Sequence, residues 1–283
     1  MDKIDLGDVA ATSLLTLYCH AIETQSRDPI LTDPKSVEIT NALDEVLSKS
    51  DNRLHKILVR RKIKKPLVTH IAIRAKRYDE YVLEFLKRNP EGVVVNIGCG
   101  LDYRFPRVDN GSAFFYDLDL QEVIDIKKQF VEESERYRMI ASSVFDYDWF
   151  SKVSGHIGPF LFMAEGVFMY LPPDDVKTLV LKLQKGFPGS ELVCEVVNSF
   201  WLKKHLKGVM QFKFKKEFHL GDDATFKFGV KDASEIEGWG EGIEFLDEWS
   251  YFDSEEKKLG LIKLLGKIEL FRKTQWTLHY KLN

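Results

Sequence analysis

Gly98-Cys99-Gly100 follows directly on the apolar run Val93-Val94-Val95-Asn96-Ile97, and Asp119 closes a second short segment, Tyr116-Asp117-Leu118-Asp119. Glycine at the end of a strand lets backbone approach a ligand with no Cβ in the way. A carboxylate at the end of the next strand can accept hydrogen bonds from both hydroxyls of a ribose. The dinucleotide fingerprint asks for a third glycine at position 103, where this chain carries Tyr103, so a pyrophosphate grip is disfavoured. The pattern describes a nucleoside site without a phosphate cradle. The same residues also read as a tight strand-to-helix turn with a capping aspartate, and on spacing alone both readings stay open.

Those residues must be held by a regular frame, and the hydrophobic rhythm supplies one. Short apolar runs at Val93 to Ile97, Ala113 to Tyr116, Met139 to Val144, Phe160 to Ala164 and Leu192 to Val197 are too short for helices and suit buried parallel strands. Helical patterns lie between them, at Glu122 to Phe130 and from Pro173 through Leu183. Alternating strands and helices imply βαβ units with right-handed crossovers. Thr274 to Leu282 alternates apolar and polar residues, the mark of a half-exposed antiparallel strand. Before it, Glu244 to Phe252 reads as a strand and Ser254 to Gly266 as a helix. The first third is helical, with Leu14, Leu17, Tyr18 and Ala21 at helical spacing, Asp33-Pro34 opening a second helix, and a long helix from Leu67 to Arg88. Residues 198–231 fit no unit of the sheet and read as an insertion rich in aromatics and lysines.

The 283 residues carry a net charge of −3, with 44% hydrophobic and 30% charged residues, which excludes a disordered chain and a generally basic nucleic-acid binder. No apolar run approaches the ~18 residues of a membrane-spanning helix, so no membrane partner is expected. Three cysteines scattered through the chain are poor material for a disulfide framework, and no histidine pair has zinc-binding spacing. A cytoplasmic protein without a metal is expected.

Val95 to Arg104, Tyr116 to Asp119 and Ala164-Glu165-Gly166-Val167-Phe168-Met169-Tyr170-Leu171, in this order, resemble the leucine carboxyl methyltransferase family, in its polyketide O-methyltransferase branch. Ser26 to Pro34 and Arg74 to Asp79 resemble its N-terminal segments. The resemblance implies a class I, Rossmann-like methyltransferase fold: a mostly parallel seven-stranded sheet with a late antiparallel strand. Residues 1–90 would be a helical cover contributing to the site, and residues 91–283 the S-adenosylmethionine-binding domain, with the insertion on the substrate side.

By the same resemblance Arg74 holds the methionine carboxylate of S-adenosylmethionine, which a planar guanidinium suits. Gly98, Cys99 and Gly100 form the cofactor loop, with Asp117 and Asp119 beside it, and Glu165 accepts from the cofactor's ammonium. Ser143-Val144 stands where the family carries an Asp-Leu pair near the adenine; a serine hydroxyl can still hydrogen-bond an amino group. Aromatic faces stabilise a sulfonium, and Phe168 and Tyr170 follow the fourth strand; Phe168 reads as core, leaving Tyr170 as the catalytic candidate. A hydroxyl acceptor wants a base, for which His205 and His219 are candidates. The expected activity is O-methylation of a small-molecule hydroxyl or carboxyl. The alternatives are an RNA or protein-carboxyl methyltransferase, the former on the strength of two basic stretches, ten Lys/Arg and no acid between Arg53 and Arg77 and the lysines and aromatics of the insertion, and a non-catalytic cofactor-binding regulator. Oligomeric state cannot be read from these residues.

Overall fold

Val93–Ile97 forms β1, and all five of its residues are buried. The computed structural model describes residues 8–203 and 225–283. Within them β1 is joined by β2 (Phe114–Asp119), β3 (Tyr137–Ala141), β4 (Phe160–Ala164), β5 (Ser190–Val197), β6 (Ile243–Trp249) and β7 (Gln275–Leu282) in one seven-stranded sheet of order β3-β2-β1-β4-β5-β7-β6. The first five strands run parallel, with Val95 opposite Tyr116 on one side and Phe162 on the other. β7 is antiparallel to both β5 and β6. Val93, Val94 and Val95 are 0% exposed, so each contributes roughly 1.5–3 kcal/mol of burial.

The strand ends differ from the sequence expectation where they matter for the site. β2 continues to Asp119 because Gly98 and Cys99 donate to the Leu118 carbonyl after β1 has ended. β3 stops at Ala141: Ser142 donates the last ladder bond to the Asp119 carbonyl, and Phe145 N–H then turns back onto Ser143 Oγ. Ser143 and Val144 are therefore loop residues over the strand ends. The helix expected at 254–266 is instead a 3₁₀ segment, Lys257–Lys267, broken at Gly260, whose φ of 53° and ψ of −140° no helix accommodates.

Four helices precede the sheet: α1 (Asp8–Thr24), α2 (Pro34–Leu47), α3 (Arg53–Val59) and α4 (Lys65–Arg88). Asp33 caps α2 by accepting from Ser36 N–H at 3.1 Å. α4 opens with proline in its first turn and stops at Asn89, before Pro90. Leu14, Leu17, Leu43, Leu58 and Ile71 of these helices share a core with Leu101, just past the glycine loop, and Val123. The helices thus pack over the C-terminal ends of the first strands, where ligands of such sheets bind. Of the insertion, Ser199–Leu202 is a short 3₁₀ turn and Val230 bridges Asn198. His205, His219 and the lysine cluster at 213–216 lie outside the described residues.

Candidate active site

Gly98 and Gly100 both sit in the left-handed region, at φ 64° and 55°. A Cβ on Gly98 would come within 2.4 Å of Val167 Cγ2, and one on Gly100 within 2.9 Å of Ser13 Oγ. The loop is thus squeezed between the β4 turn and α1, and only glycine serves at either position. Asp119 fixes it from below: one carboxylate oxygen accepts from Gly100 N–H at 2.7 Å, the other from Leu120 N–H at 2.8 Å. Burial raises the Asp119 pKa above the usual carboxylate range, against the opposing pull of these two N–H donors. Tyr103, standing where a third glycine would be, packs edge-on against Tyr137 at 5.2 Å between ring centroids.

Across the cavity lies a network of buried charges. Arg74 donates from Nε to Glu165 at 2.8 Å and from Nη1 to Glu195 at 3.1 Å. Arg104 bridges Glu165 at 2.6 Å and Asp79 at 2.5 Å. Arg107 continues the chain to Asp79, Asp102 and Asp33. Burial disfavours ionisation of Glu165, but Arg104 and Arg74 outweigh it and hold the carboxyl below its usual range. At Glu195 burial wins over Arg74 and the pKa is raised. Arg104 Nη1 and His20 Nε2 are among the buried polar atoms that have no partner within the described residues.

One cavity of about 560 Å³ joins these parts. It crosses the strand ends from Ser143 and Val144 after β3, past Asp119, Gly98, Cys99 and Gly100, to Arg74 and Glu165, and on to Tyr170, Phe226 and Gln275 at the start of β7. The Tyr170 and Phe226 rings meet at 5.5 Å, and burial pushes the Tyr170 phenol up to about 12, so it keeps its proton at neutral pH. Two histidines border the cavity. His20 is buried, with Nδ1 3.2 Å from Asp33 Oδ2. His70 stacks on Tyr251 at 4.3 Å, and burial, reinforced by Arg74, lowers its pKa to about 3.

Nine of the ten residues singled out from sequence meet at this cavity; Asp117 is the exception. Its side chain is 0% exposed and accepts from Asn96 at 3.0 Å, Lys127 at 2.6 Å and Tyr137 at 2.5 Å. Two residues before the strand end, it lies beneath the site, with both oxygens engaged. Phe168 is 0% exposed and belongs to the core. The residues that sequence reasoning missed are His20, Asp102, Arg104, Arg107 and Glu195. Glu195 had a legible signal, a carboxylate inside the apolar run Leu192 to Val197, which burial obliges to find a partner. His20, Asp33 and Asp102 lie close enough to share a metal ion, but Arg107 already places its guanidinium 3.2 Å from Asp33 and 3.0 Å from Asp102, and a metal would have to displace it.

The sequence profile of the leucine carboxyl methyltransferase family matches residues 13–184, more than half of the chain. This chain belongs to the leucine carboxyl methyltransferase family. The matched span runs from α1 through the helix after β4 and takes in the whole charge network except Glu195. With the family comes the class: an S-adenosylmethionine-dependent methyltransferase. Among relatives, the chain is similar to the tetracenomycin polyketide synthesis O-methyltransferase TcmP of Streptomyces glaucescens, 27% identical over 254 residues that cover 89% of this chain and 87% of TcmP. It is also similar to the S-adenosyl-L-methionine-dependent methyltransferase dpfgK of Gibberella zeae, 27% identical over 69% of this chain and 66% of that protein. A DUF574-family protein from Streptomyces avermitilis shares the fold, with a TM-score of 0.56 over 96% of this chain and 97% of its own, at 10% identity. The residues of this leucine carboxyl methyltransferase family member fit the cofactor. The glycine loop admits no side chain, and Asp119 offers its carboxylate beside it on the cavity wall.

Proposed function

We propose that this chain methylates a hydroxyl oxygen of an apolar small molecule. The observation that carries the reading is the continuity of the cavity: the glycine loop and Asp119 lie at one end, the aromatic pair Tyr170 and Phe226 at the other, with Arg74 and Glu165 between. On this reading residues 1–90 form the cover and residues 91–283 the cofactor domain. Asp119 takes the ribose hydroxyls, Ser143 and Val144 border the adenine, and Arg74 and Glu165 meet the carboxylate and ammonium of the methionine part. S-Adenosylmethionine supplies an electrophilic methyl on a sulfonium when bound. The protein's contribution is alignment and exclusion of water, with the Tyr170 ring facing the positive charge.

A hydroxyl acceptor must also lose a proton. His70, with its pKa held near 3, is a poor proton acceptor at neutral pH. His20 is better placed. When its Nδ1–H is donated to Asp33, the lone pair of the unpartnered Nε2 is left for a proton from the cavity side. A base oriented by a carboxylate behind it is the arrangement such a step needs.

The RNA alternative loses support from part of the first of its two basic stretches. Arg74 is buried in the site, Arg61 pairs with Asp44 at 2.9 Å, Lys76 with Glu256 at 2.8 Å, and Arg77 with Glu80 at 3.2 Å. These cations are already answered by acids of the same chain.

Methyl-labelled cofactor incubated with a metabolite extract tests the reading. The expected product is a labelled small molecule that keeps its label in mild alkali, as an ether does. Release of label as methanol would indicate an ester and a carboxyl acceptor. Label in RNA or protein would select those acceptors, and intact cofactor binding with no transfer would select a regulatory protein.

A further inference from the structure

Leu261, Ile262, Leu264, Leu265 and Ile268 are 84%, 37%, 55%, 46% and 53% exposed. Large apolar side chains on a soluble surface are normally scattered singly, and a contiguous patch of them marks an interaction site. This stretch is held at both ends. Leu259 is 6% exposed and packs with Ala72 and Ile73 of α4. Gly266 lies directly against Phe252, where a Cβ would come within 2.5 Å of the phenylalanine's own Cβ. Between these anchors every residue from 260 to 265 is exposed. The left-handed Gly260 starts the excursion. The leucines are thus presented by a fixed bulge.

Within the bulge the charge is one-sided, although Asp253, Glu255 and Glu256 precede it; of these, Asp253 is taken by Arg272 and Glu256 by Lys76. Residues 257–273 hold six basic residues and one acid, Glu269. Lys258 is matched by Glu23, and Arg272 by Asp253. Lys263 and Lys267, both exposed, have no ion-pair partner among the described residues.

We propose that this bulge docks on an anionic phospholipid membrane, with Leu261 and Leu264 entering the acyl boundary while Lys263 and Lys267 lie among the headgroups. Apolar side chains bordered by lysines are the composition that interfacial segments use. A second copy of the chain fits the patch less well, since a two-fold contact would bring the unpaired lysines of both copies together. No helix among the described residues is long and apolar enough to cross a membrane, and association of this kind needs none. The proposal uses no part of the cavity and stands apart from the methyl-transfer reading.

Vesicle flotation of the full chain tests it. Binding is expected to vesicles of phosphatidylcholine mixed with phosphatidylglycerol, and not to phosphatidylcholine alone. Leu261→Ser/Leu264→Ser should abolish binding, with the melting temperature unchanged because both side chains are exposed. Lys263→Gln/Lys267→Gln should weaken it roughly fivefold per lysine, about 30-fold together. Absence of binding to the mixed vesicles, or equal binding by the leucine variant, would overturn the proposal. A concentration-dependent dimer that the leucine variant abolishes, with no vesicle binding, would assign the patch to a second copy.

Discussion

Arg74 and Glu165, 91 residues apart, meet through an Nε–H···Oε1 bond of 2.8 Å between α4 and the turn after β4. Arg74 also donates to Glu195 on β5. The arginine therefore joins the helical cover to the sheet as well as bordering the cavity. Arg74→Ala leaves two buried carboxylates facing each other without it. Breaking such a pair costs about 3–5 kcal/mol, so the variant should melt well below wild type as well as lose S-adenosylmethionine. Arg74→Lys should keep more of the stability but still bind weakly, because a point charge replaces a fork. Wild-type melting in Arg74→Ala would show that the pairing carries no structural load.

Asp119 sets a pH dependence with a defined sign. Its folded pKa is raised by burial. Ribose hydroxyls donate to the ionised form, so cofactor affinity should be full above that raised pKa. It should decline as pH falls through it, beginning above the ordinary aspartate value of about 3.9. Stability of the free chain has the opposite sign. A carboxyl with a raised folded pKa favours folding below its unfolded pKa, and that contribution is lost as pH rises through the folded one. Calorimetric titrations at a series of pH values should show this decline in wild type and not in Asp119→Asn. Parallel profiles for the two proteins would remove Asp119 from the site. Asp119→Ala should cost about 1–3 kcal/mol of binding.

Asp117 offers a contrast within the same strand. Its partner Lys127 is also 0% exposed, so Asp117→Ala would strand a buried ammonium. The expected loss is about 3–5 kcal/mol of stability. Cofactor affinity, measured under conditions where the variant remains folded, should change little. A large loss of affinity in a normally stable variant would restore the direct role expected from the sequence.

His20→Gln separates chemistry from binding. As general base, His20 should account for about 10²-fold or more of turnover. Its replacement should lower kcat on a hydroxyl acceptor by that amount and leave cofactor affinity nearly unchanged. Loss of cofactor affinity with kcat at saturating cofactor unaltered would place His20 against the cofactor instead.

The glycine-loop end of this cavity was legible because it rests on local pattern. The apolar run into Gly98 and the carboxylate at Asp119 are properties of a few consecutive residues, and chain direction places them side by side. The charge network was not legible, because its pairs span 25 residues for Asp79–Arg104 and 121 for Arg74–Glu195. Which acid meets which arginine is decided by sheet order. Lys127 shows the same limit: its helix gives no sign that a lysine points at a buried aspartate. Asp117 and Asp119 share a strand face in sequence, and only the place where the strand ends separates the sealed carboxylate from the one at the cavity. The 257–267 segment has helical spacing, and Gly260 overrode it through its left-handed backbone.

The central claim, that one cavity holds the cofactor at the glycine loop and leaves its aromatic end for the acceptor, is tested most directly by a crystal structure with S-adenosylhomocysteine. The ribose hydroxyls should lie on Asp119, the amino-acid end beside Arg74 and Glu165, and the sulfur should face Tyr170 and Phe226. A ligand reversed in the cavity, or bound away from Asp119, would contradict the account.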